Sequence, residues 1–258
     1  MKIHKEIYGT GEPIVLLHGW AMHTGIWRSF AKELAENYQV ICLDLPAHGR
    51  SDNPTQFELQ TISEQLIKAF PEKPCTVLGW SLGVTVSLDL AQRFPDRIKA
   101  LALISGNPCF VNGENWAGMK RELLHNFADN LMTDCHTTLL RFLSLQVKGL
   151  PNYKVLVKEL KAALQETAAP EQTMLQQGLD VLEQSDLRPT LATLHCPVIL
   201  ILGDRDTLIP VAVGQQMQIL QPNLQLHILK KAGHVPFLSH TDELLELVGE
   251  FMENAHAS

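Results

Sequence analysis

The chain has 258 residues, 45% hydrophobic and 19% charged, an ordinary globular composition long enough to bury a sizeable core as one domain or one domain with an insertion. A formal net charge of -7 gives no reason to expect nucleic acid or an anionic membrane as partner. The opening stretch MKIHKEIYGTGEP lacks the apolar core of a secretory leader, and no run approaches the roughly 18 apolar residues that span a bilayer, so a cytoplasmic protein is expected.

In chain order, short apolar runs predict strands at Pro13 to Gly19, Tyr38 to Leu45, Cys75 to Ser81, Ile98 to Ser105, Cys196 to Asp204 and Leu224 to His234. The first five are apolar nearly throughout, as strands buried on both faces are. Helical spacing predicts helices at Ile26 to Asn37, Thr61 to Phe70, Leu82 to Phe94, Val211 to Leu220 and Thr241 to Asn254. Strands alternating with helices call for an α/β fold: a mostly parallel sheet covered on both sides, in three layers. From 109 to 186 the rhythm changes to helical patterns without a strand, such as Arg121 to Leu131, Cys135 to Val147 and Tyr153 to Thr167. The expected organisation is a core of 1–108 and 187–258 carrying a helical cap inserted at 109–186.

Five cysteines (Cys42, Cys75, Cys109, Cys135 and Cys196) are odd in number, scattered and without a C-x-x-C pair. That argues for reduced thiols rather than a disulfide framework or a zinc site.

The chemistry concentrates at four strand ends. Gly79-Trp80-Ser81-Leu82-Gly83 follows a strand and opens a helix, the setting in which a G-x-S-x-G turn exposes a serine nucleophile. His18-Gly19-Trp20 ends the first strand, where the backbone N–H of Trp20, with that of Leu82, would form an oxyanion hole above Ser81. His234 follows a glycine after the last strand and suits the general base. Two carboxylates are open for the acid: Asp204, placed to close a turn by an Asx hydrogen bond, and Asp206, further out in its loop. The chain order Ser, Asp, His is that of one recurring triad arrangement.

The segments HGW (18–20), DLPAHGRSD (44–52), GWSLG (79–83), GDRDTLIP (203–210) and AGHVPFLSHTDEL (232–244) resemble the α/β-hydrolase family across nearly the whole chain. LLHGWAMHTGIWR (16–28), LGWSLG (78–83), NPCF (107–110) with Trp116, RFLSLQ (141–146) and GLDVLEQSDLR (178–188) resemble, more narrowly, the family of pimeloyl-[acyl-carrier protein] methyl ester esterases of biotin synthesis. The resemblance favours Asp206 as the acid. It implies a substrate site lined by Trp20, Leu82, Phe142, Leu143, Ser144, Leu145 and Gln146 beside Ser81 and His234. It also implies a monomer without metal or cofactor, acting on an acidic acyl-carrier protein that binds transiently. Val84 and Ala47 depart from the pattern, standing where the family usually has glycine.

Between 137 and 163 lie Arg141, Lys148, Lys154, Lys158 and Lys161 against the single acid Glu159. Arg141, Lys154 and Lys158 are therefore candidates for docking the carrier, with a solvated helix face as the plainer alternative. The rival functions are a hydrolase of small esters, thioesters or lactones, and a non-catalytic ligand-binding relative. Retention of all three triad candidates disfavours the second.

Overall fold

The computed structural model describes residues 1–257, built around a seven-stranded sheet. The strands are β1 (Lys5–Tyr8), β2 (Pro13–Leu17), β3 (Gln39–Leu43), β4 (Cys75–Trp80), β5 (Ile98–Ile104), β6 (Val198–Gly203) and β7 (Gln225–Leu229). They lie in the order β1-β3-β2-β4-β5-β6-β7. β1 runs antiparallel to β3, and every other neighbouring pair is parallel. In β2 the residues Pro13, Ile14, Val15, Leu16 and Leu17 are all buried. Successive side chains leave opposite faces of the sheet, so Val15 and Leu17 enter one apolar core while Ile14 and Leu16 enter the other.

The helices are α1 (Arg28–Leu34), α2 (Leu59–Leu66), α3 (Leu82–Arg93), α4 (Arg121–Thr133), α5 (Cys135–Gln146), α6 (Tyr153–Gln165), α7 (Gln172–Gln184), α8 (Arg188–Thr193), α9 (Ala212–Leu220), α10 (Pro236–Ser239) and α11 (Thr241–Ala257). Leu66 of α2, Leu88 of α3 and Met217 of α9 cover the first core. Phe30 of α1 and Phe251 of α11 cover the second. Helices on both faces complete the three layers.

Helices α4 to α7 all fall between β5 and β6. They share the cores rather than forming one of their own: Leu124 and Leu175 join the first, Leu156 and Leu160 the second. At the C-terminal end of α6, both guanidinium nitrogens of Arg28 donate to Glu166 at 2.8 Å, and His23 Nε2 donates to the Ala163 carbonyl at 2.6 Å.

Three differences from the expected strands and helices shape the sheet and the loops around it. β1 is an additional edge strand whose residues alternate between exposed and half-buried. The run Leu224 to His234 is strand only to Leu229, and the chain then turns through Lys231 at φ 64°. The helix expected from Ile26 opens instead as a 3-10 turn, Thr24–Trp27, in which the His23 ring accepts from the Gly25 N–H.

Candidate active site

Ser81 links β4 to α3 with φ 55° and ψ -116°, a conformation that a non-glycine residue holds only when its surroundings enforce it. Its N–H donates to the Ile104 carbonyl and its own carbonyl accepts from Val84. The two motif glycines are required by close approach. A Cβ on Gly79 would collide with the Gly83 carbonyl and Ser87 Oγ, and one on Gly83 with the Leu17 carbonyl. Among the described residues the non-glycine positions at positive φ are Ala21, Ala47, Ser81, Ser105 and Lys231, and each lies just past the carboxyl end of a strand. Strain of about 1–3 kcal/mol per residue is therefore stored along one edge of the sheet. Ala47, at φ 62°, shows why glycine is the commoner residue there. At the other departure, Val84 packs over Gly106, where an added Cβ would meet Val84 Cγ2 at 2.5 Å.

His234 and Asp206 arrive from the ends of β7 and β6. His234 Nδ1 donates to Asp206 Oδ2 at 2.8 Å, and both side chains are fully buried. The other oxygen, Asp206 Oδ1, accepts from the N–H groups of Leu208 and Ile209 at 2.8 and 3.0 Å, which fixes the carboxylate plane. His234 Nε2 is buried and has no partner among the described residues. A ring that donates through Nδ1 presents Nε2 as an acceptor, the state a general base needs. Asp204 does different work: its Oδ1 accepts from the Lys231 N–H at 2.6 Å, closing the turn that leads to His234.

Gly19 sits directly over the elbow, since a Cβ there would lie 3.1 Å from Ser81 Cβ. The backbone N–H groups of Trp20 and Leu82 make no hydrogen bond within the described residues. The loop carrying Trp20 is braced by two buried imidazoles. His18 Nδ1 donates to Gly19 O, and its Nε2 accepts from Leu45 N–H. His48 Nδ1 donates to Pro46 O, and its Nε2 accepts from Ala21 N–H. Burial holds the pKa of His18 well below the usual histidine value and pushes that of His48 down to about 4, so both rings stay neutral. The indole of Trp20 donates to the Leu175 carbonyl of α7 at 2.9 Å, and Gly178 leaves the space that the ring occupies.

Ser81 opens into a cavity of about 360 Å³. Trp20, Phe142 and Leu145 line it, as do Leu208 and residues from α4 and α7 that the sequence reading did not name: Leu123, Leu124, Phe127, Leu179 and Leu182. Apart from Ser81, its polar side chains are Thr207 and Lys148. Of the run Phe142 to Gln146, only Phe142 and Leu145 reach it. Leu143 packs into the second core, Ser144 turns its hydroxyl to the Leu140 carbonyl, and Gln146 is buried with its carbonyl on the His234 N–H. A helix turns about 100° per residue, so five consecutive residues cannot face one cavity. Leu82 is likewise buried, its side chain in the first core. Arg141, Lys154 and Lys158 are exposed on α5 and α6.

Among the described residues no group of three or more His, Cys, Asp and Glu is placed to hold a metal ion, and no helix is long and apolar enough to cross a membrane.

A family profile for the alpha/beta hydrolase fold matches residues 12–241. The chain is 38% identical over 255 residues to the pimeloyl-[acyl-carrier protein] methyl ester esterase of Methylococcus capsulatus, covering 99% of this chain and 100% of that protein. It is 36% identical over 259 residues to the protein of the same name from Nitrosospira multiformis, covering 97% and 98%. Among solved structures, an esterase from Exiguobacterium antarcticum superposes with a TM-score of 0.89 at 21% identity, covering 97% of this chain and 95% of that one.

Proposed function

The chain belongs to the α/β-hydrolase family and, within it, to the pimeloyl-[acyl-carrier protein] methyl ester esterases, and on that premise we propose that it cleaves the methyl ester of a pimeloyl group carried by an acyl-carrier protein, in biotin synthesis. The observation that carries the reading is the buried Asp206–His234 pair, which packs against Trp80, the neighbour of the strained Ser81 that opens into an apolar cavity. Ser81 Oγ attacks the ester carbonyl while His234 Nε2 takes its proton. The N–H groups of Trp20 and Leu82 receive the charge that develops on the carbonyl oxygen. Collapse of the tetrahedral intermediate expels methanol, protonated by His234, and leaves the acyl group on Ser81. Water, deprotonated by His234, then releases a free carboxylate and restores the serine. Asp206 holds the imidazole tautomer and stabilises its protonated form.

The apolar walls suit the methylene chain of the acyl group, and residues 109–186 act as the cap that supplies most of them. Arg141, Lys154 and Lys158 meet the acidic carrier, and the enzyme works in the cytoplasm as a monomer. Intact-mass analysis of carrier-bound methyl pimelate tests the reading. Wild type is expected to convert the ester to the acid with loss of one methylene mass, and Ser81→Ala is expected to leave it intact. Hydrolysis of short esters without hydrolysis of the carrier-bound one would refute the substrate assignment.

A further inference from the structure

A second depression lies on the outer side of α5 and runs on from the catalytic cavity. Leu145 and Lys148 line both spaces. The outer groove is walled further by Arg141 and Ser144 of α5 and by Tyr153 and Lys161 of α6. No carboxylate lines it. Arg141, Lys148 and Lys161 take part in no ion pair among the described residues. All three cations of this groove are unpaired, and Lys148 stands where it meets the catalytic cavity, whose other polar side chains are Ser81 and Thr207.

That arrangement has a chemical complement. An acyl chain seated with its ester at Ser81 leaves the cavity through its other end, where it is joined by a thioester to the carrier's arm. The arm is an uncharged amide chain that ends in a phosphodiester. We propose that the groove between α5 and α6 is a phosphate subsite, in which Lys148 and Lys161 bind the phosphodiester of the carrier's phosphopantetheine arm and so set the depth to which the acyl chain is threaded. The assignment rests on the esterase reading above. It is separate from contacts between the carrier's protein surface and Arg141, Lys154 and Lys158.

The test compares two protein-free substrates, methyl pimeloyl thioesters of 4'-phosphopantetheine and of pantetheine. They differ only in the phosphate. Wild type is expected to favour the phosphorylated one in kcat/KM by roughly fivefold at low salt, through KM rather than kcat, as for exposed ion pairs near the upper end of their range. The preference is expected to fall towards unity in the Lys148→Gln/Lys161→Gln double variant and, in wild type, as sodium chloride is added. Equal kcat/KM for the two substrates in wild type, or a preference that survives the double substitution, would overturn the phosphate subsite while leaving the esterase reading standing. Failure to hydrolyse either thioester's methyl group, with a short ester still turned over, would instead overturn the esterase reading and this inference together.

Discussion

The carbonyl of Gln146, at the last turn of α5, accepts a hydrogen bond of 3.0 Å from the backbone N–H of His234. It is one of three such ties. Thr207 Oγ1 donates to the Leu145 carbonyl at 3.1 Å, and Arg205 Nη1 to the Gly149 carbonyl at 3.0 Å. The last carbonyls of a helix have no partner within it, and here the loops bearing the acid and the base supply some of the missing donors. One helix end thus holds both loops, and its preceding turn contributes Phe142 and Leu145 to the cavity wall.

A methyl group placed in this seam is expected to disturb catalysis without touching a reacting atom. A Cβ on Gly233 would lie 2.8 Å from the Gln146 carbonyl and 3.2 Å from Leu150 Cδ1. Gly233→Ala should lower kcat by as much as about a hundredfold through a displaced imidazole. Kinetics on a short ester, checked against an unchanged circular dichroism spectrum, would measure it. Wild-type kcat in a folded variant would show that the seam does not position His234.

The two aspartates of the β6 loop should separate cleanly. Asp206→Asn is expected to reduce kcat by about 10⁴, because the amide cannot hold and stabilise the protonated imidazole. Asp204→Asn exchanges a charged acceptor of the Lys231 N–H for a weaker neutral one and should cost at most about 1 kcal/mol of stability with little loss of kcat. Steady-state kinetics and urea unfolding on both variants decide the matter, and the opposite ranking would move the acid to Asp204.

Mild acid should destabilise the protein through its buried imidazoles. The folded-state pKa of His48 is about 4 against about 6.5 for a free histidine, so between those values the unfolded chain binds more protons. Stability is then complete above about pH 6.5 and declines as pH falls towards 4, by about 3 kcal/mol from His48, with His18 acting in the same direction. Urea midpoints taken from pH 7.5 to 5.5 would trace the decline. His48→Gln should flatten the slope, and an unaltered slope would place the titration elsewhere.

Val84 and Gly106 should prove energetically coupled. Gly106→Ala drives a methyl group into Val84 and is expected to cost about 1–3 kcal/mol. Adding Val84→Gly removes the collision, so the double variant should be more stable than the sum of the single changes predicts. Additive unfolding free energies would mean that the backbone yields instead.

Much of this was legible in the sequence because the chemistry sits at strand ends, and the buried strands are apolar runs that announce themselves. Ser81, His234 and both aspartates stand next to glycine or within two or three residues of one, just past such runs. The cavity wall was harder to read. Leu123, Leu124 and Phe127 follow the same spacing whether a helix faces a core or a hollow, so periodicity marks the face but not what lies against it. β1 escaped because KEIY is short, half polar and on the sheet's edge, where pairing rests on backbone groups that leave little trace in residue type. The choice between Asp204 and Asp206 likewise depended on which loop residue folds back towards β7, a matter of tertiary geometry.

The Val84–Gly106 contact also bears on how such sequences can change over time. Starting from this chain, Gly106→Ala meets a collision for as long as Val84 keeps its side chain, and Val84→Gly empties a buried position in α3, so each single step costs stability that the other partly restores. The two replacements are thereby tied to each other in a lineage that must stay folded at every step. A selected library varying both positions should therefore show Gly106→Ala enriched beside a small residue at 84 and depleted beside Val84.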